Sequence, residues 1–85
     1  MIHKEIKLRP GFGLHAKSAA EFIQRASNYK SSIWVEKDEK KANAKSLLGL
    51  LALGLAADTS LRIIADGEDE ERAVAELGEF MLMNL

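Results

Sequence analysis

The segment Gly13-Leu14-His15-Ala16-Lys17-Ser18 sets a lone histidine between a glycine turn and a cation, where an amphipathic helix is expected to begin. Helix starts leave backbone N–H groups unpaired and carry partial positive charge, so a phosphoryl group taken up by the imidazole would find donors already in place. Imidazole suits the task because it is largely neutral near pH 7, is nucleophilic and forms a labile N–P bond. On these residues alone a helix-capping imidazole with no chemistry is an equal reading. Ser46 is the second candidate, standing immediately before Leu47-Leu48-Gly49-Leu50-Leu51-Ala52-Leu53-Gly54-Leu55. An ordinary N-cap, worth ~1 kcal/mol to its helix, explains that serine without further function. A phosphate there is also compatible with the helix dipole, so modification would change surface charge without unfolding the chain. His3, on a strand face beside Glu5, reads as a solvated side chain and receives no role.

Composition narrows the classes. Eighty-five residues fit a single domain over 1–85, with a core small enough for a net stability of only ~5 to 10 kcal/mol. Twelve Lys and Arg against thirteen Asp and Glu give a net charge of -1 without a basic run, which argues against nucleic acid as the main partner. Cysteine is absent, and the two histidines are far apart in sequence, so no metal centre or cofactor is expected. The N-terminus turns charged within Met1-Ile2-His3-Lys4-Glu5, unlike a secretory signal. The apolar stretch from Leu47 to Ala57 is far short of the ~20 residues that span a bilayer, so no membrane insertion is expected. The expectation is a soluble cytoplasmic protein.

The elements that must position these residues follow from periodicity. Ile2, Ile6 and Leu8 share one face of an extended segment and His3, Glu5 and Lys7 the other; Lys4 breaks the inward row and predicts a frayed start. Arg9-Pro10-Gly11-Phe12-Gly13 is a loop that delivers His15. Ala19, Phe22, Ile23 and Ala26 mark a helical stripe that ends near Ser27-Asn28. Ser32 to Glu36 reads as a strand, Lys37-Asp38-Glu39-Lys40 as a polar turn and Lys41-Ala42-Asn43 as the return strand of a hairpin. Ser46 and Gly54 bracket a leucine-rich helix in which Leu50, Leu53 and Leu55 supply a buried stripe, leaving other leucines outside. Ser60 to Asp66 alternates again, and Glu68-Asp69-Glu70-Glu71 opens a last helix buried through Ala73, Val74, Leu77 and Met81. The predicted class is α+β in the order βαββαβα, with helices on one face of a four-stranded, mainly antiparallel sheet. Alternation turns Trp34, Arg62 and Ile64 to the other face of the sheet.

These residues resemble HPr, the histidine-containing phosphocarrier family of the bacterial phosphoenolpyruvate-dependent sugar phosphotransferase system. Gly13-Leu14-His15-Ala16 is similar to the family's active-site motif and Asn43-Ala44-Lys45-Ser46-Leu47-Leu48-Gly49 to its regulatory-serine motif, at the expected separation. Gly54 and Ala65-Asp66-Gly67-Glu68-Asp69-Glu70-Glu71 add to the match. The resemblance implies an open-faced β-sandwich and a covalent intermediate, not a free-standing enzyme, and its strand order combined with alternation sets Trp34 against Ile64, with Arg62 over the indole. It implies that His15 takes up phosphate on Nδ1 from Enzyme I and passes it to sugar-specific IIA domains, with Ala16, Lys17 and Ser18 in the site. It further implies docking of both partners on Leu47, Leu48, Leu51 and Lys17, and an HPr kinase/phosphorylase acting at Ser46.

Two positions depart from the family pattern. The family reads His-Ala-Arg-Pro where this chain reads His15-Ala16-Lys17-Ser18. Arginine presents a planar fork to phosphate and Lys17 a mobile point charge, so charge is kept while orientation weakens. Proline suits a first helical turn because its missing N–H would be unpaired there; Ser18 restores that donor and adds a hydroxyl. Alternatives to the phosphocarrier are a regulatory module recognised by a transcriptional regulator such as the catabolite control protein, and a paralogue serving another phosphorelay.

Overall fold

The computed structural model describes residues 1–7, 16–54 and 60–83, with side chains at all of these except 16, 17 and 83. Its elements are β1 (Ile2–Lys7), α1 (Ala16–Ala26), β2 (Ser32–Lys37), β3 (Lys40–Asn43), α2 (Leu47–Leu53), β4 (Ser60–Asp66) and α3 (Glu70–Met83). The strands lie in the order β1-β4-β2-β3 and every pairing is antiparallel. The class is α+β, as the alternation of strand and helix patterns predicts, and the architecture is the open-faced sandwich that the resemblance implies. Leu8, Leu55 and the Arg9 to Gly13 loop lie outside the described residues.

Period-2 alternation decides which face of the sheet is covered. Ile6, Ile33, Val35, Ala42, Leu61, Ile63 and Ala65 point toward the helices and are buried. α1 contributes Ala19, Phe22 and Ala26, and α3 contributes Ala73, Val74, Leu77 and Met81, the stripe expected from its sequence. Phe80 joins that stripe and meets Phe22 with ring centroids 6.3 Å apart, tilted by 41°.

Two details correct the sequence reading. β1 is not frayed: it pairs with β4 from Ile2 to Lys7, with Lys4 opposite Ile63 on the covered side. Glycine on α3 makes room for that lysine. A Cβ on Gly78 would lie 3.1 Å from Ile6 Cδ1 and 3.4 Å from Lys4 Cδ, so the lysine stem runs along the helix while the residue stays exposed.

The open face supplies the second correction. Trp34 does pair with Ile64, but the cation over the indole is Lys41, with Nζ 4.7 Å from the ring centroid. Arg62 stands in register with Glu5 on one side and Glu36 on the other. Its guanidinium donates to Glu5 at 3.2 Å and to Glu36 at 3.3 Å. Two carboxylates directly opposite hold the guanidinium in its own cross-strand row, and the diagonal to Trp34 is left to Lys41.

Candidate functional site

Helix α1 begins at Ala16, the residue that follows His15 in sequence. His15 itself lies outside the described residues, as does its expected solvent accessibility, and Lys17 is described only as helical backbone. The first turn of α1 holds no acidic residue and its last turn holds Arg25, so its own side chains do not neutralise the positive end of the dipole. Ser18 belongs to this first turn and is buried, at 3% exposure. Its hydroxyl therefore sits in the fold and not on the open surface.

The Ser46 helix is built as its sequence predicts. Ser46 is extended (φ -116, ψ 115), and its Oγ accepts from the Gly49 N–H at 3.2 Å. Gly54 ends the helix in the left-handed region at φ 65, where a Cβ would be disfavoured. Ser46 is half-buried. Leu50 and Leu53 turn inward, while Leu47 and Leu51 are 40% and 39% exposed and Leu48 is 81% exposed. Large apolar side chains left in water on one short helix form a patch that a partner can cover. α2 packs against α1 and β3.

Polar side chains tie these elements together, and sequence reading missed them. Lys37 Nζ donates to the Leu53 and Gly54 carbonyls at 3.4 and 2.8 Å, serving the end of α2. Lys45 Nζ donates to the Tyr29 and Ser31 carbonyls at 3.1 and 3.2 Å. Asp69, at the head of α3, accepts from the Ser31 hydroxyl and from the Lys30 and Ser31 N–H groups at 2.9 and 3.0 Å. The Ser31 hydroxyl first, then the Lys30 N–H, hold the Asp69 carboxyl down at about 2. Tyr29 donates its hydroxyl to Glu76, and burial followed by that bond pushes the phenol up to about 12.

Comparison with known proteins places this geometry. The family model described as the PTS HPr component phosphorylation site matches residues 2–82. The chain belongs to the HPr family. HPr-like protein Crh of Bacillus subtilis is 40% identical to it over 81 residues, covering 95% of both chains. Phosphocarrier protein HPr of Buchnera aphidicola is 43% identical over 81 residues, again 95% of both. The crystal structure of HPr from Thermoanaerobacter tengcongensis superposes with a TM-score of 0.90 at 43% identity, covering 95% of this chain and 91% of that one.

Within this HPr-family chain, the described residues bring the exposed leucines of α2 and the Ser46 cap onto one short helix that packs against α1. A cleft of about 510 Å³ lies elsewhere, lined by Arg25, Asn28, Tyr29, Arg72, Glu76 and Phe80 among others. It opens at the end of α1 opposite Ala16, away from the candidate chemistry. Arg25 stacks 4.6 Å from the Phe80 ring there, and Arg72 donates to Glu76 at 3.3 Å. The first contact packs α1 against α3, and the second lies within α3. No helix among the described residues is long and apolar enough to cross a membrane.

Proposed function

We propose that this HPr-family chain relays a phosphoryl group, with His15 accepting it on Nδ1 from phospho-Enzyme I and passing it to a sugar-specific IIA domain. The observation that carries the reading is the family match across residues 2–82, which includes a histidine set directly before a helix whose first turn has no acid. The dipole of α1 and the charge of Lys17 stabilise the phosphoryl oxygens, while Ala16 and Ser18 contribute helix-start backbone. The partner enzymes supply most of the transition-state groups, so the chain is a covalent intermediate and not a free-standing enzyme. Leu47, Leu48 and Leu51 form the apolar surface on which Enzyme I and the IIA domains dock. The relay runs in the cytoplasm and needs no cofactor.

A regulatory role at Ser46 accompanies the relay. The HPr kinase/phosphorylase modifies the serine, and the added charge then faces partners approaching the leucine patch. The likeness to Crh favours a second reading as a module for a catabolite control regulator. His15 stands against regulation as the only role. The relay is tested with Enzyme I, phosphoenolpyruvate and a panel of IIA domains. Phosphate is expected to reach a IIA domain only when this chain is present. Transfer that proceeds equally without it, or stops at Enzyme I with every IIA domain, would remove the reading.

A further inference from the structure

The ammonium of Lys45, the exposed neighbour of Ser46, is engaged by backbone carbonyls of its own chain. Its two acceptors, the Tyr29 and Ser31 carbonyls, belong to the segment that joins α1 to β2. The backbone next to it is fixed as well. The Lys45 N–H donates to Asn43 Oδ1 at 2.8 Å, the Ser46 N–H to the Asn43 carbonyl at 3.0 Å, and the Ala44 N–H to the Ile33 carbonyl at 2.9 Å. Ala44 is fully buried, so the segment leading to Ser46 is held from below by packing and from the side by the lysine.

We infer that Lys45 is the positioning residue for modification of Ser46. The inference rests on the reading of Ser46 as a phosphorylation site. An in-line transfer from a nucleoside triphosphate needs the hydroxyl held in one place: Oγ bonds to the γ-phosphorus, the bond from that phosphorus to the bridging oxygen breaks, the hydroxyl proton passes to a base of the kinase, and the nucleoside diphosphate leaves. Ser46 Oγ already accepts from the Gly49 N–H, which orients the oxygen only as long as the backbone around it is fixed. Charge-assisted bonds to two carbonyls are strong enough to fix it. Lys45 thus acts through the backbone and not as an arm reaching for the kinase.

The test compares wild type, Lys45→Met and Lys45→Arg with HPr kinase/phosphorylase and ATP, alongside amide hydrogen exchange on the unmodified proteins. Methionine keeps the length and loses both bonds; the arginine fork can still donate to both carbonyls. Lys45→Met is expected to lose about tenfold in kcat/KM at Ser46, mostly in kcat, since bonds from charged donors carry at least that factor. Its Ser46 and Gly49 amides should exchange faster while His15 phosphorylation by Enzyme I is unchanged, and Lys45→Arg should restore both readouts. A wild-type rate in folded Lys45→Met would overturn the inference. So would a lost rate with unaltered exchange at Ser46 and Gly49, which would mean that the kinase itself contacts the lysine. If Lys45→Met does not fold, Lys45→Gln, which keeps one donor group, carries the same comparison. Wild type left unmodified by the kinase would overturn the Ser46 reading itself.

Discussion

Single residues in this chain divide into those whose role is local and those whose role depends on a distant partner. Lys17 is local: an ammonium stands where the family carries a guanidinium fork, and Lys17→Arg is expected to raise the rate of transfer from phospho-Enzyme I severalfold by restoring two-point orientation. Stopped-flow kinetics with a matched Enzyme I checks this, and a slower variant would mark the lysine as tuned to other partners. Asp69 depends on distance. Folding lowers its carboxyl from 3.8 to about 2 through the Ser31 hydroxyl and the Lys30 N–H, so its contribution to stability is complete above pH ~4 and is lost as pH falls toward 2. Denaturant unfolding across that range should show an acid slope in wild type that is shallower in Asp69→Ala. An unchanged slope would deny the carboxylate its part in joining α3 to the start of β2. His15 lies outside the described residues, whereas the Ser46 cap and the exposed leucines of α2 were legible because each is read from its immediate neighbours. Asp69 and Lys45 were not, because their acceptors and donors lie 38 and 14 to 16 residues away and no short pattern encodes such a meeting.

Helix α2 is the element that joins candidate chemistry to candidate control. Its limits were readable because a serine cap and a left-handed glycine stop are local chemistry, and its exposed side was readable because seven residues cannot turn every leucine inward. The lysines that brace it, Lys37 at its end and Lys45 before its cap, were invisible at the level of periodicity. A negative charge at the cap leaves the helix intact and faces the leucine patch. Ser46→Asp is therefore expected to fold normally and to accept phosphate at His15 roughly tenfold more slowly, the rate equivalent of about 1.4 kcal/mol of repulsion against an acidic partner surface. Equal rates for the two folded proteins would leave no support for inhibition by charge. Strand β1 taught a different lesson. Lys4 looked like a break in an inward row, yet the strand is fully paired because Gly78, on a helix far along the chain, leaves room for the lysine stem.

At the scale of the molecule, one covered sheet face carries the core and the other is open. The element order and the antiparallel sheet followed from strand and helix patterns, and Trp34 opposite Ile64 followed from alternation together with the strand order that the resemblance implied. The choice of cation over Trp34 did not follow, because Glu5 and Glu36, on the two strands that flank β4, hold Arg62 in its own row and leave the indole to Lys41. Trp34 on the open face is expected to serve stability and not the proposed relay. Trp34→Ala should cost about 1–2 kcal/mol for a half-buried aromatic and leave phosphoryl transfer intact, as thermal unfolding and transfer rates measured together would show. Lost transfer in a folded variant would instead make the open face a partner surface. The central claim is that His15 carries the phosphoryl group, and site-mapped mass spectrometry after incubation with Enzyme I and phosphoenolpyruvate tests it most directly. One acid-labile phosphoryl group on His15, absent from a folded His15→Ala variant, is the expected result; an unmodified wild-type chain beside fully phosphorylated Enzyme I, or the group on any other residue, would contradict it.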